Sequence, residues 1–114
     1  MLTDPAFRAA KRVRDMVRTA ILRGKSTAKT SKTAEYLGCS AKEAAEHIAH
    51  LFTPGMSWSN HGEWHIDHIR PCASFDYSDP NWAFEANHYT NLQPLWAADN
   101  LAKSDKWEPN NTNV

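Results

Sequence analysis

WHIDHIRP, at residues 64–71, is a short run of aromatic and β-branched residues that ends at a proline. This composition is typical of a β-strand, which we expect at residues 64–69. Asp67 directly precedes His68 within the run, and successive side chains of a strand point to opposite faces. Asp67 can therefore face a metal ion while His68 faces a water molecule, and the unperturbed pKa of histidine suits a general base. The pair predicts a hydrolytic site carried on a strand.

A downstream segment, TNLQPLW followed by AADNLAK, supplies partners for this pair. It predicts a second strand at residues 91–95 and a helix at about residues 97–104. Asn100 and Lys103 are three residues apart on that helix and therefore share a face. Asn100 can offer its amide oxygen to the ion held by Asp67, while Lys103 can reach a phosphate. Because two oxygen ligands completed by water suit a hard cation, we expect magnesium before zinc.

These groups match the requirements of phosphodiester hydrolysis. The reaction needs a base for water, a cation for the developing negative charge, and donors that hold the phosphate. No nucleophile elbow or phosphate-binding glycine loop is present, which argues against a small-molecule hydrolase. The cysteines, Cys39 and Cys72, form no Cys-x-x-Cys pair, so we expect free thiols rather than a zinc framework.

The net charge of the 114-residue chain is zero, but its distribution is uneven. Residues 1–32 carry nine Lys or Arg and two Asp, a net charge of +7, whereas residues 61–114 carry three Lys or Arg and eight Asp or Glu, a net charge of −5. An amphipathic helix is predicted from a cap at Asp4 to a cap at Gly24. Its basic side chains can bind a DNA backbone, although a solvated helix face explains the charge equally well. The candidates for DNA contact are Arg8, Arg12 and Arg18.

Two shorter helices are predicted between the basic segment and the first strand. One covers residues 33–37, and the other covers about residues 40–52. Ser40 and Glu43 are spaced as a capping box at the start of the second helix. Residues 71–88 are predicted to be an irregular loop, and a loop of this length in a small domain tends to be functional.

The motifs, in this order, resemble those of the HNH endonuclease family. The matching segments are WHIDHIRP at 64–71, NLQPLW at 91–96 and DNLAKSD at 99–105, with further similarity at 36–40 and 54–58. By this resemblance Asp67 is a metal ligand and His68 the general base. Asn91 matches the structural asparagine of the second motif. Asn100 matches the last metal ligand, where many members carry histidine, and asparagine there shifts the expected ion to magnesium or manganese.

The resemblance implies an α+β fold with a ββα-metal core, formed by a two-stranded antiparallel hairpin and a helix, after an N-terminal helical segment. The expected divisions are a basic helix or arm at 1–32, a helix-turn-helix-like segment at 33–53, a nuclease core at 54–108 and a tail at 109–114. The implied activity is divalent-metal-dependent DNA cleavage, nicking or double-stranded, that leaves 5′-phosphate and 3′-hydroxyl ends.

The resemblance also implies a bacteriophage or prophage setting, with DNA and phage packaging proteins as partners, or else a mobile-element role. A monomer or homodimer without membrane contact is expected in the cytoplasm, since no signal peptide or transmembrane run is evident. His65, Arg70 and His88 are further candidates for DNA contact. A half-exposed strand position explains His65 more simply than DNA contact does, and loop packing explains His88 equally well. The rival function is a non-catalytic DNA-binding module with a structural metal site, which would favour a closed shell of His and Cys ligands.

Overall fold

The computed structural model describes residues 5–104 and contains five α-helices and one two-stranded antiparallel sheet. In chain order the elements are α1 (Pro5–Arg23), α2 (Lys32–Leu37), α3 (Ala41–His50), β1 (Trp64–His68), α4 (Trp82–Ala86), β2 (Leu92–Trp96) and α5 (Ala97–Lys103). The predicted α+β class with an antiparallel hairpin is confirmed. The predicted helix cap at Asp4 and the tail at 109–114 lie outside the described residues.

The hairpin aligns the two sequence motifs side by side. Trp64 pairs with Trp96, Asp67 with Gln93 and His68 with Leu92. Helix α5 begins at the residue after β2, so its first turn stays close to both strands. This connection brings the helix that carries Asn100 against the strand that carries Asp67.

The helices and the hairpin share one buried core. Its members are Val17, Ile21, Leu37, Ala44, Ile48, Trp64 and Leu92. Burying one large apolar side chain contributes roughly 1.5–3 kcal/mol, so this cluster couples the helical half of the chain to the hairpin. Two of its members lie on α1, which is therefore an integral part of the core as well as the most basic helix. Deletion of this helix would remove core side chains, so single substitutions test its role more cleanly.

Local signals placed the helix ends accurately. Gly24 and Gly38 both have positive φ, +56° and +76°, which favours glycine at a helix C-terminus. The capping box is confirmed, because the Ser40 side chain accepts from Glu43 N and the Glu43 carboxylate accepts from Ser40 N.

The predicted irregular loop at residues 71–88 is wrong in part, because it contains helix α4 and a 3₁₀ turn at Cys72–Ser74. Helix α4 has five residues and no strong amphipathic repeat, so its sequence carries little signal. Tertiary contact holds it in place, since the Phe84 ring packs on the Tyr36 ring with centroids 4.8 Å apart. Within residues 5–104, every helix is too short or too polar to cross a lipid bilayer.

Candidate functional site

An open cleft of about 340 Å³ lies where β1, α5 and α1 meet. It is lined by Arg14, Arg18, Ile66, Asp67, His68, Pro71, Cys72, Ala73, Asn100, Lys103 and Ser104. The cleft therefore unites the predicted metal ligands with the predicted base, although the residues come from distant parts of the sequence.

Asp67 is the most buried charged residue of the cleft, with 6% of its surface exposed. Its Oδ2 accepts a hydrogen bond from Gln93 Nε2 at 2.9 Å, across the strand pair. Its Oδ1 contacts the ammonium of Lys103 at 3.3 Å. A buried carboxylate needs such partners, because desolvation of an unpaired charge is costly. Gln93 and Lys103 thus hold Asp67 in one orientation.

His68 is partly buried, and a hydrogen bond fixes its ring. His68 Nε2 lies 3.0 Å from Asn87 Oδ1. Asn87 Nδ2 donates to the carbonyl oxygen of Ala83, so the Oδ1 atom is the acceptor toward the ring. His68 Nε2 must therefore carry the proton, which leaves Nδ1 of the neutral ring as the basic nitrogen. Among residues 5–104, His68 Nδ1 has no hydrogen-bond partner.

Burial lowers the pKa of His68 below its ordinary value. The bond to Asn87 and the charge of Asp67 raise the pKa, and the charges of Arg14 and Lys103 lower it, so the net effect favours the neutral ring. A neutral imidazole is the form that can accept a proton, and this environment keeps His68 in that form at neutral pH.

Asn91 forms hydrogen bonds to the backbone just after β1. Its Oδ1 accepts from Arg70 N at 2.9 Å, and its Nδ2 donates to the carbonyl oxygens of Arg70 at 3.1 Å and Ala86 at 2.8 Å. The Asn91 carbonyl oxygen also accepts from Ile69 N at 2.8 Å. These bonds connect the residues that follow β1 to the start of β2, and every partner of the Asn91 side chain is a backbone group.

Asn100 reaches the cleft from α5, as the helical spacing predicted. Its Nδ2 makes a long contact of 3.4 Å with His65 Nδ1. Since that contact involves the amide nitrogen, Asn100 Oδ1 remains available as an acceptor, and it has no partner within the part of the chain that the structure describes. The exposed ring of His65 therefore contacts a residue of the cleft, Asn100, but does not line the cleft itself.

The cleft contains Asp67 and Asn100, the two residues predicted to hold a hard cation. The Lys103 ammonium contacts both Asp67 Oδ1 and the carbonyl oxygen of His68, the latter at 2.9 Å, so a positive charge already lies against these two oxygens. Residues 5–104 contain no group of three His, Cys, Asp or Glu side chains that could hold a metal ion. A ligand set of one carboxylate, one amide oxygen and water corresponds instead to magnesium or manganese chemistry.

The thiol of Cys72, which also lines the cleft, is poorly suited to metal coordination. Burial raises its pKa and keeps it protonated, whereas metal coordination uses the thiolate. Burial likewise raises the pKa of Cys39. Both cysteines are free, as predicted.

Helix α1 supplies two arginines to the cleft, Arg14 and Arg18. Arg18 was among the candidates for DNA contact, and its guanidinium also pairs with Asp15 at 2.9 Å. Arg8 and Arg12 are exposed on the same helix but do not line the cleft. Their contact with DNA stays a prediction.

Arg70 and His88 have structural contacts in the protein. Arg70 donates from Nε to Ser74 Oγ at 3.0 Å and stacks on the Phe75 ring at 3.9 Å. His88 Nδ1 contacts Thr90 Oγ1 at 2.8 Å, and its ring lies so close to Gly38 that an added Cβ would come within 2.5 Å of His88 Nε2. Neither residue lines the cleft, and their contact with DNA remains a prediction.

Three residues that contact or line the candidate site were not predicted from the sequence: Asn87, Gln93 and Arg14. Gln93 could have been found from the strand pairing, but the long connection between the strands leaves the register undetermined. Asn87 follows a helix that the sequence did not predict. Arg14 is one of several arginines on α1. Only the packing of that helix shows that Arg14 faces the cleft while Arg8 and Arg12 do not.

Two proteins of Acanthamoeba polyphaga mimivirus are similar to this chain. Uncharacterized protein L426 is 34% identical over 108 residues, which are 94% of this chain and 46% of the relative. Uncharacterized protein L246 is 32% identical over 104 residues, 90% of this chain and 44% of the relative. The chain spans a little under half the length of these curated relatives. No protein-family model matches it, and no solved structure matches it significantly. Neither relative's name states an activity, so the residues of the cleft carry the functional argument.

Proposed function

We propose that this chain is a divalent-metal-dependent DNA endonuclease of the HNH type, in which β1, β2 and α5 form the ββα-metal unit. The observation that carries this proposal is the meeting of Asp67, His68 and Asn100 in one open cleft. The resemblance of the three sequence motifs assigns the same residues the same roles. Geometry and sequence pattern thus support one proposal independently.

His68 acts as the general base in this proposal. Its Nδ1 takes a proton from water as the water oxygen bonds to phosphorus, and the bond from phosphorus to the 3′ oxygen breaks. The leaving 3′ oxygen takes a proton from solvent, which gives 5′-phosphate and 3′-hydroxyl ends. Asn87 keeps the proton on Nε2, so the basic nitrogen is the one that is free to react.

Asp67 and Asn100 would hold the metal ion, as one carboxylate and one amide oxygen with water. The bound ion supplies positive charge to the phosphate and to the departing oxygen. Gln93 orients Asp67, and His65 contacts the Asn100 amide group, so both candidate ligands are positioned by neighbours. Such outer contacts commonly tune metal affinity.

DNA is the proposed substrate because cationic groups flank the cleft. Arg14 and Arg18 line it, and a neighbouring cavity of about 230 Å³ shares Arg18 and Ile66 with it. A phosphate backbone is attracted to such a surface, and binding of this kind weakens as salt rises. The two cavities together offer a path for a strand on either side of the cleaved bond.

Cleavage of supercoiled plasmid tests the proposal. With magnesium or manganese the wild-type protein should convert supercoiled plasmid into nicked or linear forms. EDTA should stop the reaction, and excess magnesium should restore it. A His68→Ala protein purified in parallel controls for contaminating nucleases. If the wild type binds DNA but leaves the plasmid intact with either ion across pH and salt, the nuclease proposal fails in favour of a non-catalytic DNA-binding module.

A further inference from the structure

Helix α1 carries two cleft residues outside the sequence motifs, Arg14 and Arg18, and Arg14 was not among the predicted DNA contacts. Val17 and Ile21 are buried, with 2% and 0% of their surfaces exposed, and they fix the rotation of the helix. Arg14 lies one turn before Val17, at the edge of the buried face, and lines the cleft beside Asp67 and His68. The core therefore determines where this guanidinium points.

The cleft's other cations already have anionic or carbonyl partners. Lys103 contacts Asp67 and the His68 carbonyl oxygen, and Arg18 pairs with Asp15. Asp15 also accepts from Lys11 at 2.8 Å, so this nearest carboxylate along the helix is occupied. Within residues 5–104, Arg14 makes no hydrogen bond or ion pair. The charge of Arg14 acts on Asp15 without a direct bond, so its guanidinium N–H groups can donate to an anionic ligand.

Arg14 and His68 line the same cleft, so a phosphate bound there can contact the guanidinium and the proposed base together.

We propose that Arg14 is a catalytic residue that binds the non-bridging oxygens of the scissile phosphate. This inference rests on the proposed nuclease function and extends its active site to α1. The planar guanidinium donates two parallel hydrogen bonds to phosphate oxygens. Because negative charge on those oxygens grows as water attacks, the contact strengthens in the transition state and acts mainly on the rate.

Substitution of Arg14 tests this contact. Arg14→Gln should lower the single-turnover rate of plasmid cleavage by about 10²-fold, and DNA affinity by less than about tenfold. Arg14→Lys keeps the positive charge but loses the paired N–H donors of the guanidinium, so its cleavage rate should fall by about tenfold. Arg23→Gln is the matched control, since it removes one charge from an exposed position on the same helix, and its rate should stay within about twofold of the wild type.

The outcomes separate this inference from the nuclease proposal. If the wild type cleaves and Arg14→Gln cleaves within about threefold of it, the inference is overturned and the nuclease proposal stands. If Arg14→Gln does not fold by thermal melting, the Arg14→Lys rate decides, and an unchanged rate overturns the inference. If the wild type binds DNA without cleaving it, the nuclease proposal fails. The salt dependence of DNA binding in EDTA then tests whether Arg14 contacts a phosphate. Arg14→Gln should reduce the slope of log affinity against log salt by about one, whereas Arg23→Gln should leave that slope unchanged. Equal slopes for Arg14→Gln and the wild type, or no DNA binding by the wild type, overturn the inference about Arg14.

Discussion

His68→Ala should lower the rate of DNA cleavage by about 10³-fold while DNA affinity stays within about twofold of the wild type. The substitution removes the nitrogen that takes the proton from water, but it leaves the arginines of α1 and the residues around Asp67 in place. The measurement pairs single-turnover cleavage in magnesium with fluorescence anisotropy of labelled DNA in EDTA. Added imidazole should recover part of the lost rate if the missing group is the base.

His50→Ala provides the control for this variant. His50 is an exposed histidine on α3 whose Nδ1 contacts the carbonyl oxygen of Glu46, and it does not line the cleft. Its substitution should leave the cleavage rate within about twofold. Loss of DNA binding together with cleavage in His68→Ala would instead assign His68 a folding role.

The pH profile of the wild type provides a second check on the base. A general base works in its neutral form, so cleavage falls as pH drops through the pKa of His68. Burial lowers that pKa from the ordinary value of 6.5, so the midpoint of the decline should lie below pH 6.5. A midpoint above pH 6.5 would contradict this assignment.

Asp67→Asn is expected to be as damaging as loss of the base. Replacing the carboxylate by an amide keeps the shape of the side chain but removes its charge, and with it the main attraction for a divalent ion. Several kcal/mol of transition-state stabilisation depend on that ion, which corresponds to about 10³-fold in rate. Raising the magnesium concentration should not restore the wild-type rate. DNA affinity in EDTA should be equal or higher, because a negative charge near the phosphate is lost.

Asp99→Asn is a suitable comparison for this variant. Asp99 lies on α5 one residue before Asn100, but it is exposed and does not line the cleft. Its substitution removes the same negative charge from α5, outside the cleft, so the cleavage rate should stay near that of the wild type. Equal losses in both variants would indicate a general effect of charge rather than an ion held by Asp67.

Features that depend on residues close together in the sequence could be predicted from the sequence. The capping box of Ser40 and Glu43 and the C-terminal glycine at Gly24 are local patterns, and each marks a helix end that the structure contains. The strands were predicted to within one residue because their side chains suit a pleated, half-buried surface. The assembly of Asp67 beside Asn100 was expected only from the order of the motifs and their resemblance to a family.

Features that depend on tertiary packing could not be read in this way. Helix α4 is short and is held by the contact of Phe84 with Tyr36, so the sequence predicted a loop. Asn87, which closes that helix and orients His68, was missed for the same reason. Arg14 differs from the other arginines of α1 only because buried Val17 and Ile21 turn it toward the cleft.

Calorimetric titration of the metal-free protein with manganese tests most directly whether this cleft is a metal site for phosphodiester chemistry. The wild type should bind one ion per chain, and Asp67→Asn should abolish that binding, whereas Asp99→Asn should retain it. Absence of binding to the wild type, or equal binding to Asp67→Asn, would contradict the proposal that Asp67 and Asn100 hold the ion beside His68.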